Sequence, residues 1–252
     1  MVHFVGAGPG AVDLITVRGL RLIQKADVLI YAGSLVSRDF ADFLKQKAAV
    51  YNSAEMTLEE VCAVFLQAES DGKNTVRLHT GDPSLYGAIA EQIAFLKEKN
   101  ISYDVTPGVT AAFAAAAEMG MEYTLPGVSQ TLILTRTAGR TPVPSEESIE
   151  ALAKTHSSMA IYLSVKRCAE LKEALLKGGY RPDTPAAIAF RVSWPDQRIV
   201  RTTVGELDSC QKNEGIVKTA LVIVGDAVAQ SDFERSFLYD PSFTTEYRNS
   251  KF

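Results

Sequence analysis

Cysteine is scarce and dispersed. Cys62, Cys168 and Cys210 include no CxxC pair, so neither a disulfide framework nor a zinc ribbon is suggested, and they read as reduced packing residues. Histidine is as rare, and His3, His79 and His156 are scattered without a His/Asp/Glu cluster, so no metal centre is implied. No uninterrupted apolar run approaches the roughly 18 residues that a membrane span requires. The opening VHFVGAG lacks a basic n-region and a small-residue cleavage site, which predicts a cytoplasmic address. Positive charge is not in excess either: a net charge of −4 argues against a nucleic-acid-binding surface. The patterns G-x-x-x-x-G-K-[ST] and G-x-S-x-G are both absent, which removes the P-loop and the nucleophile elbow.

Apolar residues, by contrast, make up 46% of a 252-residue chain, enough for real cores in one large domain or two. β-Branched runs recur in the first half as VHFVG, ADVLIYAG, AAVYN, NTVRLHTG and ISYDVTPG, with helix-like segments at 16–25, 57–70 and 84–99. Strands alternating with helices predict a mostly parallel sheet covered on both faces, with ligands at the carboxyl ends of the strands. The pattern restarts near 125–127 with SQTLILTR, SMAIYLSV, PAAIAFRVSWPDQRIVRTTV and TALVIVGDAV, a second α/β domain with an antiparallel pair around 194–198. The expected fold is therefore two α/β domains, 1–124 and 125–231, with a cleft between them, followed by a polar tail with interspersed aromatics at 232–252. Nine of the 13 arginines fall after residue 125, so an anionic small molecule would be met from the second half, although a solvated face explains the charge equally well.

Three strand-end loops carry the chemical signal. In VGAGPGAVDLIT, Gly6, Gly8 and Ala11 fit a loose dinucleotide fingerprint, yet Pro9 has no N–H to offer a pyrophosphate and VLIYAGS ends without the acidic ribose clamp. In HTGDPSLYG, Gly81 suits a left-handed strand exit, Asp82 an Asx turn, and Pro83 the first turn of a helix starting near Ser84. TPGVTAAFAAAAEMG repeats the device, with Thr110 placed to cap an alanine-rich helix. Each loop alone is explained as a tight turn. Three at the ends of strands in one sheet predict a site where backbone, not charge, contacts a ligand.

VGAGPG, YAGSLV, HTGDPSLYG, TPGVTAA, LPGVSQTLILTR, GRTPVP and SWPDQRIVRTT, in this order and across nearly the whole chain before the tail, resemble the tetrapyrrole methylase family. YAGSLV and SQTLILTR with GRTPVP are most similar to its branch acting at C11 of precorrin-4 or cobalt-precorrin-4 in cobalamin biosynthesis. The resemblance implies a homodimeric enzyme that uses S-adenosylmethionine. By motif it implies cofactor contacts from Pro9, Gly81, Asp82, Pro83, Leu85, Thr110 and Ala111, and from Leu163, Ala187 and Ala220 in the second domain. The uroporphyrinogen methylases of the family carry a proton-accepting aspartate in a YDRLV stretch where this chain has Ala32, so that base is absent and no catalytic residue is assigned.

A corrin intermediate bears many acetate and propionate groups, and arginine forks suit them. Arg136, Arg140 and Arg191 are the expected substrate contacts, with surface solvation as the alternative for each, and Tyr31 and Ser34 of YAGSLV could line the same mouth; His79 beside the GDP loop is the histidine best placed to touch the ligand, although a packing role is favoured for it. Two readings of other classes stay open. A nicotinamide-dependent oxidoreductase accounts for GAGPG but not for the missing clamp, and NADH titration separates it. A tetrapyrrole carrier accounts for the arginines but leaves GDP and PGVTAA without purpose, and a single-turnover methyl-transfer assay separates it.

Overall fold

The computed structural model describes residues 1–251, with the side chains of Ser34 and Arg38 outside the description. The chain divides into two compact units, Met1–Ala114 with Arg191–Gln197, and Ala115–Phe190 with Arg198–Phe252. The division falls ahead of the expected residue 124 and takes a seven-residue segment from the second half.

The first unit is built on β1 (Val2–Gly6), β2 (Val28–Tyr31), β3 (Ala49–Asn52), β4 (Thr75–His79) and β5 (Tyr103–Thr106). All are parallel, in the order β3-β2-β4-β1-β5. Strand alternation sends Phe4 and Ile30 to one face, against Val61 and Phe65 of α2 (Leu58–Ser70) and Leu96 of α3 (Ile89–Glu98). Val5, Leu29 and Leu78 go to the other face, against Ile23 of α1 (Val17–Lys25). Both faces are thus covered, which is why these strands read as continuous apolar runs. Each fully buried phenylalanine, Phe4 and Phe65 among them, contributes about 1.5–3 kcal/mol.

Helix starts follow their caps. The Gly19 N–H donates to the Thr16 hydroxyl at the head of α1. Thr57 and Glu60 form a capping box at the head of α2. The helix expected from Ser84 begins only at Ile89. Tyr86 (φ 58) and Ala88 (φ 49) are left-handed, which no right-handed helix accommodates, so DPSLYG is a compact loop and not a first helical turn.

Helix α4 (Ala111–Met119) starts in the first unit and ends in the second. The second unit holds β6 (Leu132–Arg136), β7 (Ser158–Tyr162), β8 (Pro185–Phe190), β9 (Arg198–Thr203) and β10 (Ala220–Val224), ordered β6-β7-β10-β8-β9. Only β6–β7 is parallel. The antiparallel pair expected around 194–198 is the β8–β9 hairpin; the additional antiparallel pairings arise because β10 enters between β7 and β8. The core lies between this sheet and α5 (Ile149–Ala153), α6 (Cys168–Lys177) and α7 (Leu207–Asn213), with Ile161, Leu171, Leu175, Ile188 and Val222 at its centre.

The cysteines are free, and burial pushes the Cys168 thiol up to about 12, in keeping with a packing role. In the tail, Arg248 donates to the carbonyls of Leu238 and Asp240, folding that segment on itself. Among the described residues no helix is long and apolar enough to cross a membrane.

Candidate functional site

Because β1 lies between β4 and β5, the loops that leave these three strands meet at one end of the sheet. The Ala7 N–H donates to the His79 carbonyl at 2.7 Å, and Gly8 and Gly81 exchange N–H to carbonyl bonds of 3.3 and 2.8 Å. The approach is backbone on backbone: a Cβ on Gly108 would lie 2.1 Å from the Gly81 carbonyl oxygen, and one on Gly6 2.6 Å from the Gly108 Cα. Gly81 (φ 60) is left-handed at the strand exit, as the sequence requires.

Asp82 ties the second loop to the third. Its Oδ2 accepts the Gly108 N–H at 2.9 Å, while Oδ1 accepts the Ser84 N–H at 2.8 Å and the Ser84 hydroxyl. Burial pushes the Asp82 carboxyl up, but the bonds from the Ser84 hydroxyl and the Gly108 and Ser84 amides outweigh it and hold the group below the usual range. Pro9, Gly81, Asp82, Pro83 and Thr110 are thereby gathered, with Ala111 opening α4 behind Thr110 and Leu85 partly buried at the end of the turn. The amides of Gly8, Gly81 and Gly108 are each committed to a partner within these loops and Pro9 has none, so these four positions offer no donor of the kind a phosphate needs.

A cavity of about 890 Å³ opens within the first unit, in the size range of small-molecule sites. It is lined by residues 10–13 after β1, by Tyr31 and Gly33, by Asn52 at the end of β3 and Ala54 beyond it, and by Arg191, Ser193, Trp194, Pro195 and Asp196. Tyr31 and Arg191, both expected at the substrate, are brought together here. The side chain of Ser34 lies outside the described residues, although its neighbours Gly33 and Val36 line the cavity. Arg191 is already engaged: its guanidinium lies 4.4 Å over the Trp194 ring, and Nε stands 3.0 Å from Asp196 Oδ1 but off the hydrogen-bonding direction. Asp13 and Asp39 also line the cavity, so its described lining is not rich in arginine.

Trp194, Ser193 and Asp196 were not singled out by the sequence as site residues. Their signal was the WPD turn between two strand-like runs, which reads locally as a hairpin connection.

In the second unit, Leu163 follows β7 with φ 53 and is 71% exposed, and Ala220 opens β10 directly after Thr219, also at φ 53. β7 and β10 pair antiparallel, so the end of β7 and the start of β10 lie at the same end of the sheet. Left-handed leucine and threonine each cost roughly 1–2 kcal/mol, so the unit stores strain at this one sheet end. Ala187 lies deeper in β8, opposite Ile223, and is fully buried. Arg136 turns back on its own loop, donating to the carbonyls of Thr137, Thr141 and Pro142, while Arg140 is exposed in that loop.

His79 is not among the residues that line the cavity. Strand alternation puts it with Arg77 on the face covered by α2 and α3, where it is 3% exposed and stacked 6.0 Å from Phe4. Burial first, then the charge of Arg77, lowers its pKa to about 3, so the ring is neutral near pH 7.

Residues 1–208 match the family model of the tetrapyrrole (corrin/porphyrin) methylases. The chain is 49% identical to the cobalt-precorrin-4 C(11)-methyltransferase of Methanocaldococcus jannaschii, over 99% of this chain and 96% of that one. The solved structure of a cobalamin biosynthetic enzyme, cobalt precorrin-4 methyltransferase, is 45% identical and superposes with a TM-score of 0.88 over 90% of this chain and 95% of that one. The uroporphyrin-III C-methyl transferase of Thermus thermophilus complexed with S-adenyl homocysteine is 26% identical, with a TM-score of 0.76 over 91% of this chain and 99% of that one. Agreement over essentially the whole length, in both sequence and fold, establishes that the chain belongs to the tetrapyrrole (corrin/porphyrin) methylases.

Proposed function

We propose that the chain is an S-adenosylmethionine-dependent methyltransferase acting at C11 of precorrin-4 or its cobalt form in cobalamin biosynthesis, as a cytoplasmic homodimer. The observation that carries this reading is the trio of glycine loops whose amides are committed to one another. Those three amides are not offered to a phosphate, which suits a cofactor that has none and disfavours a nicotinamide dinucleotide. The names of the relatives at 49% and 45% identity, and the S-adenyl homocysteine bound to the Thermus enzyme, point the same way.

On this reading Pro9, Gly81, Asp82, Pro83, Leu85, Thr110 and Ala111 hold the cofactor from the first unit. Leu163, Ala187 and Ala220 are the candidates in the second, the first two of these at opposite extremes of exposure. S-adenosylmethionine, when bound, supplies an electrophilic methyl group on a sulfonium for in-line transfer to an electron-rich carbon. The chain's own contribution is positioning, which is worth several kcal/mol when the bound geometry is close to that of attack. Asp82 serves it as an anion that fixes two loops at once. Tyr31, Ser34 and Arg191 are the first unit's candidates for the macrocycle, and Arg136 and Arg140 the second's.

Calorimetry is expected to detect binding of S-adenosylmethionine and S-adenosylhomocysteine. Labelled S-adenosylmethionine incubated with each form of precorrin-4 is expected to place the label at C11, located by NMR. Tight NAD binding with no response to either sulfur compound, or transfer to a different ring carbon, would overturn the proposal.

A further inference from the structure

The segment Arg191–Gln197 joins β8 to β9 yet belongs to the first unit, where it forms a wall of the cavity. It is held there by contacts to one short turn, the residues that follow β1. The Trp194 indole Nε1–H donates to the Pro9 carbonyl at 3.1 Å, and the Ala11 N–H donates to the Ser193 hydroxyl at 3.0 Å. Gly10, between those partners, is buried flush against the indole: a Cβ there would lie 2.2 Å from both Cδ1 and Nε1 of Trp194. Arg191 covers the ring from above and is paired in turn with Asp196.

The segment accepts strain to reach this arrangement, since Arg191 (φ 45) and Ser193 (φ 65) are left-handed without being glycine. Such conformations persist where surrounding contacts over-determine them, and they cluster at ligand clamps. The turn is therefore gripped from two sides, by Gly81 through paired backbone bonds and by Trp194 with Ser193. Movement of the indole moves residues 10–13, which are themselves cavity lining.

We infer that Trp194 is a positioning residue that sets the wall formed by residues 10–13, and thereby the fit of the macrocycle, with Gly10 as the complementary position that only a glycine can fill. The inference rests on the proposed methylation for its substrate. Its test has a readout of its own because Trp194 is the only tryptophan in the chain, so intrinsic indole fluorescence originates in this wall and reports tetrapyrrole binding apart from methyl transfer.

Titrating the protein with a carboxylated tetrapyrrole, uroporphyrin III, is expected to quench that fluorescence at least twofold at saturation. Gly10→Ala is expected to raise the KM for precorrin-4 at least tenfold with little change in kcat. In a Trp194→Ala background the same Gly10→Ala change is expected to alter KM less than twofold, because the clash it causes has been removed. Trp194→Phe, which keeps a ring and loses the donor, is expected to fall between wild type and Trp194→Ala, and thermal melting confirms that each variant is folded. An equal penalty for Gly10→Ala in both backgrounds, or unquenched fluorescence in a protein that does methylate precorrin-4, overturns the inference while leaving the proposed function in place. Quenching with the expected double-variant pattern in tetrapyrrole binding, but no methyl transfer, overturns the function and leaves the inference standing.

Discussion

His79 shows how a residue beside a functional motif can serve packing, the role favoured for it from the sequence. It stands next to GDP, yet the two-residue period of β4 turns it into the apolar face with Phe4. Its lowered pKa makes acid stability the measurable consequence. The unfolded chain takes up a proton near 6.5, whereas the folded chain resists it until about 3. The stabilisation from this group is therefore complete above pH 6.5 and declines as pH falls through that window, by up to about 1.4 kcal/mol per pH unit. Urea midpoints measured from pH 7 to pH 4 are expected to fall less steeply in His79→Gln than in the wild type; parallel slopes would show that the ring ionises without penalty. Asp82 was legible for the opposite reason. An aspartate between glycine and proline has a narrow set of local uses, and the structure shows one of them, a carboxylate accepting nearby amides. Nothing in a leucine announces the positive φ that Leu163 adopts.

Among the elements, strands and capped helices were readable because their signals are local. Thr16 and Thr57 sit where α1 and α2 begin, and all five strands of the first sheet fall on runs recognisable by composition. α3 starts later than the sequence predicts because Pro83 is as good an opening for a compact loop as for a helix. The choice was made by Tyr86 and Ala88 and by Gly87 lying against the Pro83 carbonyl, which are tertiary facts. The loop after β6 carries a prediction of its own. Arg136 braces it through three carbonyls, a geometry that needs the planar fork and that a lysine ammonium cannot span. Losing one charged hydrogen bond of about 1.5 kcal/mol raises the opening of such a loop roughly tenfold. Amide hydrogen exchange across residues 137–142 is expected to quicken by about that factor in Arg136→Lys. Unchanged exchange there would show that these carbonyl contacts do not brace the loop.

At the scale of the whole molecule, the α/β character and the two-sheet organisation followed from the alternation of elements, whereas the cavity wall did not. Trp194 meets Pro9 across 185 residues of sequence, and no periodicity records a contact at that range. The proposed assembly is likewise a property of the whole chain. A two-fold homodimer buries the same patch on both copies, so light scattering at micromolar concentration is expected to give twice the 27.3 kDa chain mass. A monomer mass there would reject it.

The placement of Arg191–Gln197 in the first unit bears on the order in which the molecule becomes competent. A ribosome delivers the residues of β1 to β5 early, long before residue 191 emerges. The wall that closes the turn after β1 arrives only with the hairpin between β8 and β9, late in synthesis. A nascent chain halted before that point carries the glycine loops but not the finished cavity, so truncated products are denied a complete site by topology alone.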